Sequence, residues 1–217
     1  MYLILLQVVS LVYIVLLNLF YFSKKHLNSI ENNIYKYLLL SNAVGLIIEL
    51  LCFYSVTHME MIPLFNSFVT KLLLVYYLWF IALYTYYVFV IAYKDKENNK
   101  FNKNLKRIKT CDFIGFVISS AIVSYLPMYY YNDGKYVYSY GPSVNCLSLI
   151  LLVIMTVWLI IIIRNYKNIK THKYLPVIIF IVLAGIGGLI QYISTCIIDY
   201  SDRIINYLPN VFYNRES

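Results

Sequence analysis

Residues 37–56, YLLLSNAVGLIIELLCFYSV, form an apolar run in which Glu49 is the sole charged residue. A helix rises about 1.5 Å per residue, so about 20 residues cross the hydrocarbon core of a bilayer. Comparable apolar runs occupy residues 2–22, 72–93, 113–126, 146–163 and 175–198. The run at 113–126 is short, but its neighbours extend it. The sequence therefore predicts an all-α fold, a polytopic membrane bundle of six transmembrane helices.

The composition of the whole chain agrees with a membrane location. Of 217 residues, 61% are hydrophobic and 13% are charged, whereas a soluble domain carries charge on roughly a quarter of its residues. A single soluble domain is thereby excluded. The net charge of +8 comes from clusters between the apolar runs, which indicates membrane topology rather than nucleic-acid binding. We expect a multi-pass plasma-membrane protein whose partner is the lipid bilayer and which binds no nucleic acid.

The basic residues alternate between the connecting segments. Of the 18 Lys and Arg residues, 14 lie in segments 23–36, 94–112 and 164–173. The other four lie in segments 57–71, 127–145 and 199–217. Because cytoplasmic loops are enriched in Lys and Arg, the first three segments are predicted to be cytoplasmic and the N-terminus to lie outside. The basic residues of 94–109 are expected to contact anionic lipid headgroups.

Six spans that start from an outside N-terminus place the C-terminal segment outside as well. We therefore divide the chain into a six-helix membrane domain, residues 1–198, and an amphipathic extracytoplasmic tail, residues 199–217. Two interpretations stay open at this point. The chain is either a complete six-helix protein with both ends outside, or it lacks a seventh span and a domain that follows it.

Glu49 is the acidic residue that falls inside a predicted span. A carboxylate at that depth costs about 2.5 kcal/mol or more, so it is expected to face the bundle or a wet cavity. Asn42, Gly45 and Glu49 are spaced i, i+3 and i+7 and share one helix face. Glu49 is either a position that senses a ligand or a proton, or a protonated side chain that bonds a neighbouring helix such as the one with Gln191.

Small residues mark a packing face on the last predicted span. Ala184, Gly188, Gln191 and Thr195 lie on one side of the helix, and Gly45 has the same role on the second span. Small side chains allow helix backbones to approach closely in a membrane. We therefore predict Gly45, Ala184 and Gly188 as helix-packing positions and Gln191 as a hydrogen-bonding group in the ligand site.

A hairpin is predicted between the fourth and fifth apolar runs. The segment YYYNDGKYVYSY, residues 129–140, places Asp133-Gly134 between alternating aromatic residues, which is a strong hairpin signal. We expect this hairpin to cap the outer face of the bundle, either as a lid over a site or as a plug. With Glu49 and Asn42 beneath it, the candidate ligand-binding residues in the outer segment are Tyr136, Tyr140 and Asn145.

The motifs of the common membrane enzymes are absent from the sequence. No HExxH, GxSxG or phosphate-binding glycine loop occurs, and the four cysteines form no CxxC pair. We therefore predict no enzymatic activity, no metal site and no cofactor for this chain. A small transporter or channel stays open as an alternative because of Glu49, although the glycine-rich stretch at 185–188 has no counterpart in the first half.

The stretch SYGPSVN at 139–145 resembles the YGPAV(N/D) stretch in the membrane input region of bacterial signalling proteins. Pro176, which opens the sixth run, and Gln191 are similar to the same region, as are residues 37–49 and 79–87. The family comprises sensor histidine kinases and GGDEF diguanylate cyclases, whose N-terminal helical membrane domain precedes a cytoplasmic output module. The resemblance covers nearly the whole chain.

The resemblance implies a signal-input module of histidine-kinase type that lacks its cytoplasmic transmitter, with a diguanylate-cyclase input module as the alternative. In the family a further span and an acidic ENPD-like segment follow the membrane region, and neither occurs here. A phospho-acceptor histidine motif, the ATP-binding boxes and a GGDEF motif are absent too. The expected partners are a cytoplasmic transmitter domain and a second copy of the chain in a homodimer.

Overall fold

The computed structural model describes residues 2–23, 29–93, 99–132, 137–165, 177–183 and 185–186. The chain divides into two compact units, residues 1–170 and 171–217. The helices of the first unit are α1 (Tyr2–Ser23), α2 (Ile30–Thr57), α3 (Pro63–Tyr93), α4 (Asn99–Tyr125) and α5 (Pro142–Asn165). Two strands, β1 (Tyr129–Asn132) and β2 (Val137–Tyr140), stand between α4 and α5.

Four of the described helices are long and apolar enough to cross a membrane. They are α2, α3, α5 and the part of α4 from Leu105 to Tyr125, and a shorter apolar helix covers Val8–Ser23 of α1. The mostly helical fold and the membrane character agree with the prediction. Each of the first five predicted apolar runs coincides with one of these helices.

Three helices begin well before the apolar runs that predicted them. α2 starts at Ile30, where the Ser29 side chain accepts a hydrogen bond from the Asn32 backbone N–H at 3.2 Å and caps the helix. α3 starts at Pro63, a residue favoured in the first helical turn because its missing N–H has no helical partner there. Apolar length locates the membrane core of a helix, whereas capping residues set where the helix begins.

The basic segment before the fourth apolar run is also largely helical, because α4 begins at Asn99. Its side chains divide by face: Leu105 and Ile108 are half-buried, whereas Lys106, Arg107 and Lys109 are exposed. This spacing lets the helix continue while its charged side chains avoid the bundle. The prediction of a loop over residues 94–112 is therefore wrong from Asn99 onward.

The predicted hairpin is confirmed in the described strands. β1 and β2 are antiparallel and pair Tyr129 with Tyr140, Tyr130 with Ser139, Tyr131 with Tyr138 and Asn132 with Val137. The tight-turn residues Asp133 and Gly134 lie outside the described residues. The hairpin contacts α2 as well as the start of α5, so it lies at one end of the bundle. We call this end of the helices the hairpin end.

Helix α3 is the central helix of the first unit, since it contacts α2, α4 and α5. Its buried residues recur along the whole length from Asn66 to Ala92. Helix α1 contacts α2. The side chains of α2 and α4 that face the bundle interior therefore pack mainly against α3.

The second unit contains the start of the sixth apolar run. Residues 177–183 and 185–186 are helical, as predicted for that part of the run. The rest of the run and the tail at 199–217 lie outside the described residues.

Candidate functional site

The face of α2 that contains Gly45 packs against α3. The Tyr76 ring lies where a side chain on Gly45 would be, so the missing Cβ makes room for this tyrosine. The Tyr76 hydroxyl donates to the backbone oxygen of Ser41 at 3.0 Å, one turn before Gly45. Glycine thus permits both the close approach of the ring and a hydrogen bond from α3 to the backbone of α2.

Glu49 lies on the same face, one turn after Gly45 and three residues before the buried Cys52. It is half-buried and close enough to Tyr76 and Tyr77 of α3 to interact with them electrostatically. Glu49 therefore lies near the tyrosines of α3 on this side of α2. Asn42, a further predicted residue of this face, is half-buried as well.

A buried polar cluster lies between Glu49 and the hairpin. Ser55 on α2 donates to the side-chain oxygen of Asn66 on α3 at 3.1 Å, and both residues are at most 1% exposed. Thr70, one turn along α3, donates to the backbone oxygen of Asn66 at 2.6 Å. Ser55 stands six residues after Glu49, about 9 Å along the helix.

The polar cluster continues into the hairpin. The Tyr130 hydroxyl of β1 lies 2.8 Å from the Thr70 hydroxyl oxygen. Since Thr70 uses its own hydrogen on the backbone of Asn66, Tyr130 is the donor of this bond. We call Ser55, Asn66, Thr70 and Tyr130 the hairpin-end cluster. It joins α2, α3 and the hairpin through side-chain hydrogen bonds.

The end of α4 is also held by hydrogen bonds at the hairpin end of the bundle. Three consecutive backbone oxygens of α4, those of Ile122, Val123 and Ser124, each accept a hydrogen bond from a donor beyond the end of the helix or on another helix. The Leu126 backbone N–H, the Ser143 hydroxyl of α5 at 2.7 Å and the Lys71 ammonium of α3 donate to them in that order. Two adjacent residues of α3 therefore bind different elements: Thr70 bonds the hairpin and Lys71 bonds the end of α4.

Aromatic residues hold the opposite half of α3. Trp158 of α5 is fully buried, donates its ring N–H to the Thr85 hydroxyl at 3.0 Å, and has its ring centre 5.0 Å from that of Tyr84. The ring of Phe80 stacks on Tyr84 at 6.2 Å and lies 6.4 Å from Tyr76. A row of rings therefore runs along α3 from the Gly45 contact to α5.

Tyr140 and Asn145, two of the ligand-binding residues predicted between the fourth and fifth runs, lie at the surface. Tyr140 is exposed, and its ring centre lies 5.6 Å from that of its strand partner Tyr129. Asn145 is exposed, and its backbone N–H donates to the oxygen of Gly141 at 3.1 Å. Gly141 has a φ of 117°, a conformation that favours glycine, and the Tyr129 ring packs beside it.

Four predicted residues lie outside the described residues or have no described side chain: Tyr136, Ala184, Gly188 and Gln191. The hairpin-end cluster was not predicted from the sequence. Asn66 and Thr70 are polar residues at i, i+4 within one helix, which is a usable signal once the start of α3 at Pro63 is known. Their partners Ser55 and Tyr130 come from separate elements, and sequence spacing does not pair them.

Among the described residues, no group of three or more His, Cys, Asp or Glu side chains is placed to hold a metal ion. No family model, curated protein or solved structure matches the chain. The function is therefore inferred from the residues of this chain and from their geometry.

Proposed function

We propose that this chain is a membrane-embedded signal-input module that detects a stimulus at the hairpin end and conveys it along α3. The observation that carries the proposal is the hydrogen bond from Tyr130 of the hairpin to Thr70 of the central helix. It connects the hairpin, whose Tyr129 and Tyr140 are exposed, to the helix that contacts α2, α4 and α5. Glu49 and Asn42 lie on the α2 face below this bond and are the proposed ligand- or proton-sensing residues.

The proposed topology has six spans with the N-terminus and the hairpin outside and the basic segments in the cytoplasm. The distribution of Lys and Arg supports it. The test uses a chain with all four cysteines replaced by serine and one new cysteine, at exposed Glu60 or exposed Lys106. A membrane-impermeant maleimide added to intact cells should label the cysteine at 60 and spare the one at 106. The reverse pattern contradicts the topology.

Signalling by such a module requires small movements of packed helices, on the order of 1–2 Å. A stimulus that shifts the hairpin acts on Thr70 directly and on Asn66 one turn away. The shift reaches α5 through Tyr84 and Thr85 in the opposite half of α3, which contact Trp158 of α5. A histidine-kinase or diguanylate-cyclase transmitter on the cytoplasmic side is the proposed receiver.

Glu49 also favours a second function, a small transporter or channel, because a carboxyl group within a span can carry protons. The two functions differ in a flux measurement. The purified chain is reconstituted in liposomes with a pH-sensitive dye inside, and a pH step is applied outside. The sensor proposal predicts the proton leak of empty liposomes. A leak that exceeds this background and is abolished by Glu49→Gln establishes transport instead.

The receiver is tested in the native host with the full chain. A photo-crosslinking amino acid replaces Arg164, an exposed residue in the last turn of α5. The proposal predicts a cross-linked product that mass spectrometry identifies as a protein with a histidine-kinase or GGDEF domain. The same probe at exposed Glu60, on the opposite side, serves as the control. Products at Arg164 that contain no transmitter domain contradict the proposal.

A further inference from the structure

The end of α4 that points away from the hairpin presents three cations on its surface. Lys106, Arg107 and Lys109 are exposed, whereas the interleaved Leu105 and Ile108 are half-buried. Across the described part of the chain, no carboxylate forms an ion pair with these cations. The three positive charges therefore lie within four consecutive residues of a helix and point away from the bundle.

The position of these cations along α4 matches the depth of lipid headgroups. Tyr125 ends the helix beside the hairpin, 16 residues after Lys109 and 19 after Lys106. At about 1.5 Å per residue these separations are roughly 24 Å and 29 Å, close to the hydrocarbon thickness of about 30 Å. When Tyr125 lies at one membrane surface, the cations lie at the other.

An exposed apolar strip continues directly from the cations. Lys106, Thr110, Phe113 and Val117 are spaced i, i+4, i+7 and i+11, so they lie along one side of α4, and all four are exposed. The Thr110 hydroxyl donates to the backbone oxygen of Lys106 at 3.0 Å. A phospholipid has a charged headgroup followed by an apolar acyl chain. The order of charged and apolar side chains along this helix face is complementary to it.

We propose that this face of α4, defined by Lys106, Arg107, Lys109, Phe113 and Val117, is a binding site for an anionic phospholipid. The guanidinium of Arg107 and the two ammonium groups would hold the phosphate and headgroup, and Phe113 and Val117 would contact the acyl chain. A lipid fits better than a soluble phosphate compound because the apolar strip starts within one to two turns of the cations. The site is independent of whether the chain senses or transports.

The experiment is a lipid titration of the full-length chain in detergent, followed by native mass spectrometry. Dioleoylphosphatidylglycerol is the anionic probe and dioleoylphosphatidylcholine the neutral one. The variant K106Q/R107Q/K109Q should bind the anionic lipid more weakly by about fivefold per lost cation, on the order of 100-fold in all. Binding of the neutral lipid should not change.

The matched control removes three charges elsewhere, in K167Q/K170Q/K173Q of the basic segment 164–173. The proposal predicts that this control binds the anionic lipid as the unmodified chain does, and that K106R/R107K/K109R retains binding. Equal weakening in both triple variants means that net charge alone attracts the lipid and overturns the site. Displacement of the lipid by millimolar inorganic phosphate, beyond a sodium chloride control of equal ionic strength, assigns the cations to a soluble anion and overturns it too.

Discussion

The two halves of α3 are held by different kinds of contact. Near the hairpin, Asn66, Thr70 and Lys71 form hydrogen bonds with α2, β1 and α4. In the other half, the main contacts are ring packing around Tyr84 and Trp158, together with the hydrogen bond from Trp158 to Thr85. Both halves are buried, but the first is polar and the second is aromatic.

This difference has a mechanical consequence. A hydrogen bond depends on angle as well as distance, so the hairpin end has one preferred arrangement and changes by breaking a bond. Ring packing is less directional and tolerates small displacements between helices. A helix fixed at one end and packed by rings at the other suits the transfer of a signal from the hairpin toward α5.

The largest expected effect comes from removing the aromatic contact. Trp158→Ala empties a fully buried site and also removes the N–H donor to Thr85. We expect a loss of about 3 kcal/mol in the free energy of unfolding, at the lower limit for such a change, because lipid is itself apolar. Unfolding by dodecyl sulfate in mixed micelles measures it. Trp79→Ala is the control, since Trp79 is 43% exposed, and a loss as large there would show that burial is not the cause.

The next effect comes from filling the space over Gly45. Gly45→Leu displaces the Tyr76 ring and breaks its hydrogen bond to Ser41, with an expected loss of about 2 kcal/mol in the same unfolding measurement. Gly115→Leu is the matched control, because no atom lies within 4 Å of the position of its added Cβ. Equal free energies of unfolding of the two variants would contradict the close contact between α2 and α3 at Gly45.

A smaller effect is expected from the bond between α3 and the hairpin. Thr70→Val keeps the shape of the side chain but removes its bonds to Asn66 and Tyr130, with an expected loss of about 1 kcal/mol. Amide hydrogen exchange in β1 and β2 should accelerate about fivefold. Thr156→Val on α5 removes a hydroxyl that bonds its own helix at Leu152, and hairpin exchange should not change in that variant. Unchanged exchange in Thr70→Val would remove the link between α3 and the hairpin.

A structural feature could be predicted from the sequence when the residues that form it are close together in the chain. The apolar runs and the Asp133-Gly134 signal are local, and they located the described spans and the hairpin. Gly45 was predicted as a packing residue from its small size alone, and the Tyr76 ring that lies over it was not predicted. Local signals thus gave the elements but few of the contacts.

The remaining contacts depend on how each helix is rotated about its axis. Tyr76 and Tyr77 are neighbours in the sequence, and the rotation of α3 about its axis decides that Tyr76 packs over Gly45. Thr70 and Tyr130 are 60 residues apart, and neither position has a local pattern that would pair it with the other. The starts of α3 and α4 were misplaced because polar residues continue a helix beyond its apolar part.

The most direct test of the account measures whether the hairpin end controls the opposite end of the bundle. Spin labels are attached in place of the exposed residues Lys109 on α4 and Arg164 on α5. Pulsed electron paramagnetic resonance then records the distance between the two labels in the full chain in liposomes. Breaking the bond to the hairpin with Thr70→Val should shift or broaden that distance by about 2 Å, whereas Thr156→Val should not. Identical distance distributions in the unmodified chain and in both variants would contradict the proposed transfer along α3.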